Sequence, residues 1–141
     1  MTHMEVKASL RNLRMAPRKV RLVVDLVRGL PVAEAELRLR FCRQAPALPV
    51  LKLLKSAIAN AEHNFKLEAG ALRIKSITAD GGPMMKRTMP RAMGRGTIIR
   101  KRQTHINLVL TDEPAAANKT KQANKMSKVA KAKKPAAAPA A

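Results

Sequence analysis

Seven cations crowd residues 81–110, GGPMMKRTMPRAMGRGTIIRKRQTHINLVL: Lys86, Arg87, Arg91, Arg95, Arg100, Lys101 and Arg102, with no carboxylate among them. Guanidinium and ammonium groups at that density repel one another unless something anionic lies between them. The chemistry they offer is binding, through charge-assisted hydrogen bonds to phosphate or carboxylate oxygens. Reactive chemistry is poorly served. GGPMMKRT has the look of a phosphate-binding loop, but it lacks the second glycine before the lysine, and Pro83 and Pro90 oppose the helix that must follow. Met84, Met85, Met89 and Met93 have no cysteine or histidine beside them to complete a soft-metal site, and read better as adaptable apolar wedges. His3, His63 and His105 lack ligand spacing. Cys42, next to Phe41 at a helix end, reads as packing rather than as a nucleophile. Asp80, before Gly81 and Gly82, reads as a turn former, and no second acid converges on it. The chain therefore reads as a binding protein, not an enzyme, with no cofactor and no metal expected.

The whole chain shares the bias: 29 Lys and Arg against 9 Asp and Glu, a net charge of +20 over 141 residues. A polyanion suits such a chain, and nucleic acid most of all, because each neutralised phosphate releases condensed counterions. Phe41 and Phe65 are the only aromatics, with no Tyr or Trp. A stacking platform for single-stranded bases cannot be built from them, which favours folded RNA or a duplex gripped through phosphate and shape. No membrane partner is expected, since no apolar run approaches a bilayer span and the basic residues do not line an amphipathic helix. The opening MTHMEVKASLRNLRM lacks the apolar stretch of a secretory leader, and the lone Cys42 offers no disulfide framework. A reducing, cytoplasmic setting is expected.

Two alternating segments, 72–80 and 98–110, flank the glycine- and proline-rich middle and predict antiparallel arms running out to a basic tip. Between 80 and 98 each arm holds about nine residues, or roughly 30 Å at ~3.3 Å per residue. A lone ribbon is marginal in water, and ordering it costs roughly 1–2 kcal/mol per residue. Its order is expected to come from an anionic partner.

The elements that must hold these arms are legible upstream. Val6, Ala8 and Leu10 alternate within a predicted strand over 4–14. Pro17 and the stripe Val20, Val23, Val24 and Val27 predict a helix ended by Gly29 and Pro31, with Ala16 where a capping Ser, Thr or Asp belongs. Ala33, Leu37 and Phe41, four apart, predict a second helix over 31–42. Val50, Leu53, Leu54, Ala57, Ile58, Ala61 and Phe65 predict a third, from Pro49 to a stop at Gly70. The expected fold is α+β: three helices packed on a small three-stranded antiparallel sheet, with a long protruding β-hairpin (about 80–98) and a basic C-terminal tail. Residues 1–111 form one globular domain. Residues 112–141, rich in Lys, Ala and Pro, form a tail expected to be disordered when free and to settle on phosphates.

Four segments, APRKVRLVVDLVRG (16–29), SAIANAEHN (56–64), GPMMKRTMPRAMGR (82–95) and KRQTHI (101–106), carry a resemblance. Together, over residues 6–111, they resemble the bacterial form of the large-subunit ribosomal protein family known as L-twenty-two. The resemblance implies the same fold and a structural place in the cytoplasmic large ribosomal subunit. The implied partners are 23S-type ribosomal RNA, neighbouring large-subunit proteins and the nascent polypeptide, with no homo-oligomer. It implies that the hairpin lines the peptide exit tunnel, its tip near the macrolide pocket. By motif, Arg18, Lys19, Arg21, Asn60, His63, Asn64, Arg100, Lys101, Arg102, Thr104 and His105 are expected to bind rRNA. Gly82, Pro83, Met84, Lys86, Arg87, Met89, Pro90, Arg91, Ala92, Gly94 and Arg95 form the tip, against RNA or the tunnel wall. Ala16 departs from the Ser usual before the proline, Gly96 and Thr97 depart in the turn region, and the tail lies outside the resemblance. The alternative from charge alone is an architectural DNA-binding protein with a β-ribbon arm, and a third is a membrane-active cationic protein.

Overall fold

Apolar alternation in three separate segments places one face of a sheet in register. The computed structural model describes residues 4–112. In chain order they form β1 (Glu5–Leu13), α1 (Pro17–Val27), α2 (Val32–Phe41), α3 (Ala47–Phe65), β2 (Arg73–Pro90) and β3 (Gly96–Thr111). Short 3-10 turns lie at Ala69–Ala71 and Ala92–Gly94. The sheet is antiparallel in the order β1-β3-β2, so the last strand is central. Its rows are Val6–Leu110–Ile74, Ala8–Leu108–Ile77 and Leu10–Ile106–Ala79. Ile74 and Ile77 are three apart, and a bulge between Ile74 and Ser76 turns both to the same side. The predicted class, three helices on a three-stranded antiparallel sheet, is what forms.

The helices close over that face. Val20, Val23, Val24 and Val27 of α1 and Leu53, Leu54, Ala57 and Ala61 of α3 are buried against it. Each large aliphatic side chain so buried contributes about 1.5–3 kcal/mol. The corner between α1 and α2 is tied to the start of β2. Gly29 adopts φ +75, and its carbonyl accepts from Arg73 Nε and Nη2 at 2.9 and 2.7 Å. Val32 N–H donates to the Leu72 carbonyl at 3.1 Å and Ile74 N–H to that of Leu30 at 3.0 Å.

Three local expectations are corrected. In α2 the buried residues are Val32, Ala35 and Leu39, while Leu37 and Phe41, expected to face the core, are 56% and 84% exposed. The bond from Val32 to Leu72 fixes the phase: with Val32 turned inward, Ala35 and Leu39 follow at helical spacing. The helix α3 begins at Ala47 rather than Pro49, which fits inside the first turn because the amides there have no intrahelical acceptor to lose. It ends at Phe65, well before Gly70, through Lys66 at φ 52 and a bond from Leu67 N–H to the Ala61 carbonyl at 3.2 Å. Asp80 is not in a turn. It pairs with His105 within the sheet, and its carboxylate accepts from Thr78 Oγ1 and Asn107 Nδ2, each at 3.3 Å.

The connection between the arms is at 91–95, where Arg91 N–H donates to the Arg95 carbonyl at 2.7 Å. Met93 and Gly94 there take φ 60 and φ 68. The strand β1 accompanies β3 only as far as Leu13↔Thr104. Past the row Gly81↔Thr104, β2 and β3 pair alone from Met84↔Arg102 to Pro90↔Gly96. From Gly81 to Pro90 that is roughly 30 Å at ~3.3 Å per residue. The basic tail expected over 112–141 lies outside the described residues, apart from Asp112.

Candidate nucleic-acid interface

One face of β3 changes character within a single strand. Leu110, Leu108 and Ile106 are buried under the helices, and Thr104 is buried too. Arg102 and Arg100, next on the same face, are exposed. Helical cover stops here because β1 ends. Asn12 takes φ 58, the β1–β3 register shifts between Leu10 and Leu13, and the chain turns through Met15 into α1. Thr104 marks the boundary: its hydroxyl donates to the Met15 carbonyl at 2.6 Å. Expected among RNA contacts, Thr104 instead ties the turn before α1 to the central strand, since a hydroxyl so buried has no surface to offer.

Beside it, His105 and Gly82 form a close joint. Asn12 N–H donates to His105 Nδ1 at 3.0 Å. A Cβ on Gly82 would stand 3.0 Å from His105 Nε2 and 3.2 Å from Cε1, so the ring occupies the room a side chain would need. The bulge between Gly81 and Met84 falls at this point. His105 therefore holds the root of the ribbon as well as being half-exposed.

The N-terminal turn of α1 overhangs the exposed part of that face. Ala16, Pro17, Arg18 and Arg21 stand across a cleft of about 670 Å³ from Gly81, Arg100 and Arg102. Four guanidinium groups line it and no carboxylate does. Ala16 supplies no side-chain cap to the helix, so the positive end of α1 adds to the field. Arg21 Nε donates to the Ala79 carbonyl at 3.1 Å and Arg28 Nη2 to that of Ile77 at 3.4 Å. These two arginines cover outward carbonyls of β2, an edge strand whose open groups would otherwise invite pairing. Neither arginine belongs to the buried valine stripe of α1, and helical periodicity alone does not point to an edge strand. Lys19 is exposed beside them.

Along the ribbon the two faces differ in content. One carries the pairs Met84–Arg102, Lys86–Arg100 and Thr88–Ile98, the other Met85–Lys101, Arg87–Ile99 and Met89–Thr97. Cations sit nearer the root, the uncharged Thr88, Met89, Thr97 and Ile98 lie further out, and charge returns at the turn, where Arg91 and Arg95 flank Met93, 94% exposed. Pro83, Pro90 and Ala92 are exposed, and Gly96 packs closely on Thr88, whose Cγ2 is 2.9 Å from where its Cβ would be.

Acidic groups are spent elsewhere. Asp25 pairs with Arg28 at 3.0 Å, Glu34 with Arg38 at 2.6 Å, and Glu36 with Arg40 at 2.8 Å and Lys55 at 3.8 Å. Glu5 pairs with Lys75, whose hydrogen bond and charge hold its carboxyl below the usual carboxylate range. Five cations of the body are thus paired with carboxylates, while no carboxylate falls within 81–111 or lines the cleft.

Asn60, His63 and Asn64 are not gathered with these groups. Asn60 is half-buried and the other two are exposed. The N-terminal part of α3 meets Leu10, Leu13 and Met15 at the ribbon end of the sheet. At 1.5 Å per residue the helix runs roughly 28 Å, which carries this trio to the far end of the body. Two other hollows are apolar: about 570 Å³ between β1 and α3, and about 410 Å³ beside Leu26, Leu37, Phe41 and Cys42. Each has a single cation in its lining, Lys52 in the first and Arg38 in the second. Among the described residues no cluster of His, Cys, Asp or Glu could hold a metal ion, and no helix is long and apolar enough to cross a membrane.

Comparison with known proteins adds an independent observation. A family model described as Ribosomal protein L22p/L17e matches residues 8–111. The chain is 54% identical over 110 residues to the large ribosomal subunit protein uL22 of Chloroflexus aggregans, covering 78% of this chain and 97% of that protein. It is 52% identical over 110 residues to the protein of the same name from Geobacter sulfurreducens, covering 78% and 99%. To that of Macrococcus caseolyticus it is 48% identical over 117 residues, covering 83% and 94%.

Proposed function

The chain belongs to the ribosomal protein L22p/L17e family, whose members are structural components of the ribosome rather than enzymes, and from that premise we propose what its surface does. It binds 23S-type ribosomal RNA in the cytoplasmic large subunit, touches neighbouring subunit proteins and supports assembly. Its ribbon lies along the nascent-peptide exit tunnel.

The observation that carries this reading is the segregation of charge. Every carboxylate among the described residues lies outside 81–111, while the α1 N-terminal turn and the ribbon present Arg18, Lys19, Arg21, Lys86, Arg87, Arg100, Lys101 and Arg102 to solvent. Folded RNA supplies phosphates on several sides of such a ribbon, and counterion release favours the contact. Near the turn the exposed Met89, Met93 and Ile98 offer apolar surface to a passing peptide, while Arg91 and Arg95 beside them suit RNA phosphates.

Sedimentation of cell extract through a sucrose gradient tests the assignment. Nearly all copies are expected with large subunits, and ultraviolet crosslinking within them should join the ribbon to RNA. Recovery with DNA or as free protein overturns it, and the former outcome would restore the β-ribbon DNA reading.

A further inference from the structure

The cleft between α1 and the ribbon root does more than add to a diffuse positive field. Its two walls belong to different parts of the molecule: Arg18 and Arg21 to the helical body, Arg100 and Arg102 to the strand that leaves it. Among the described residues, no hydrogen bond or ion pair engages the side chains of Arg18, Arg100 or Arg102. Arg21 is different. Its Nε is committed to the Ala79 carbonyl of β2, and the remaining N–H donors of a planar guanidinium stay available, fixed in direction by that bond. At Gly81, a Cβ would meet nothing within 4 Å, so the strand backbone leaves the floor of the cleft open.

Resting on the RNA-binding reading above, we propose that this cleft is a two-walled seat for the phosphate backbone, and that its occupation sets the direction in which the ribbon leaves the body. A phosphodiester oxygen here accepts from body and strand together. Before it enters, four like charges push the walls apart. Once it enters, the same charges pull on a common anion, and Arg21 couples that anion to β2 through Ala79. Other ribbon cations, such as Arg87 and Lys101, point to the opposite face and bind without this coupling.

Charge-matched variants of the full chain separate the seat from the general field. Arg100→Gln/Arg102→Gln removes one wall, and Arg87→Gln/Lys101→Gln removes the same charge from the other face. Sodium pyrophosphate is the probe, titrated at constant ionic strength, with backbone amide shifts reporting binding and hydrogen exchange over 81–104 reporting coupling. The wild type should show shifts centred on Arg18 and Gly81 and slower exchange at the ribbon root. The first variant should bind at the seat roughly tenfold more weakly, and the second should keep the wild-type shifts at Arg18 and Gly81 and the slowed exchange, losing only contacts on the opposite face. Arg21→Lys should keep binding within a few-fold but lose the slowing of exchange, since lysine cannot hold Ala79 and the anion with one planar group. Equal weakening in both double variants, or slowed exchange that survives Arg21→Lys, overturns the proposal. Each variant is checked first by thermal melting. Co-sedimentation with large subunits is measured in parallel: if it persists while the pyrophosphate results fail, the seat is refuted and the RNA-binding reading stands.

Discussion

Asn12 N–H donates to His105 Nδ1 across 3.0 Å, a bond between residues far apart in sequence that ties the end of β1 to the strand leaving the body. Gly82 completes the joint from the other side, with its missing Cβ replaced by the imidazole edge. The ribbon thus starts from a fixed root although nothing further along it is buried. Residues 80–103 include no buried position, so order there relies on pairing, not on a core.

Gly82→Ala should therefore behave unlike Gly81→Ala. At 82 the new methyl meets His105 and the ring must give way by a few tenths of an ångström, loosening the bond from Asn12. A cost of about 1 kcal/mol is expected, lowering the melting temperature by about 4–8 °C in a domain of this size. At 81 the added atom meets open space, and melting should be unchanged or slightly raised. The Asn12 amide resonance should shift in the first variant only.

Much of the body was readable because one physical pattern dominated each segment. Val20, Val23, Val24 and Val27 formed an unambiguous helical stripe, and all are buried. In α2 two stripes competed. Ala33, Leu37 and Phe41 looked as apolar as Val32, Ala35 and Leu39, and the choice was made by a tertiary bond from Val32 to Leu72 that no local pattern encodes. The basic site residues were legible as a set, from charge and from motif. Their division was not: Thr104 and His105 sit in the same KRQTHI segment as Lys101 and Arg102, yet Thr104 is buried at the sheet's last three-stranded row. That division follows from where β1 stops, a property of the pairing. The cleft likewise joins Arg18 to Arg100 across most of the chain, beyond the reach of any spacing rule.

Replacing Lys86, Arg87, Arg91 and Arg95 together by Ala tests whether the ribbon cations hold the body. All four are exposed. Melting of the free protein should stay within about 0.5 kcal/mol of wild type, as for surface substitutions in general. Binding to a 23S-type rRNA fragment should weaken, and the slope of log K against log salt should fall by roughly 0.7–0.9 per lost phosphate contact. A large loss of melting temperature would show that these residues serve the fold.

The pair Glu5–Lys75 links the first residue of β1 to the third of β2 and gives one signed pH dependence. The Glu5 carboxyl is held below its usual range by the Lys75 hydrogen bond, then by its charge. A group whose folded pKa is depressed stabilises above its unfolded pKa, and that contribution disappears as pH falls through the folded value. Glu5→Gln should therefore be the less stable chain at neutral pH. The gap in melting temperature should close as the solution is acidified below the ordinary carboxylate range. Because both groups are exposed, added salt should shrink the gap at neutral pH. A gap that widens in acid would contradict the pairing.

The phase of α2 can be decided by two substitutions two residues apart. Leu39 is 3% exposed and Leu37 is 56% exposed. Leu39→Ala leaves a void under the helix and should cost about 2–5 kcal/mol. Leu37→Ser removes an apolar side chain from water, and its effect should lie within about 0.5 kcal/mol. The alternative phase, with Ala33, Leu37 and Phe41 inward, predicts the reverse order. Urea unfolding of both variants distinguishes them, because the midpoint moves with stability while an unchanged slope shows that the surface exposed on unfolding is the same. A Leu37→Ser chain that unfolds earlier than Leu39→Ala would mean that α2 is rotated from the position in which Val32 bonds to Leu72, and the tie between that helix and the start of β2 would have to be abandoned with it.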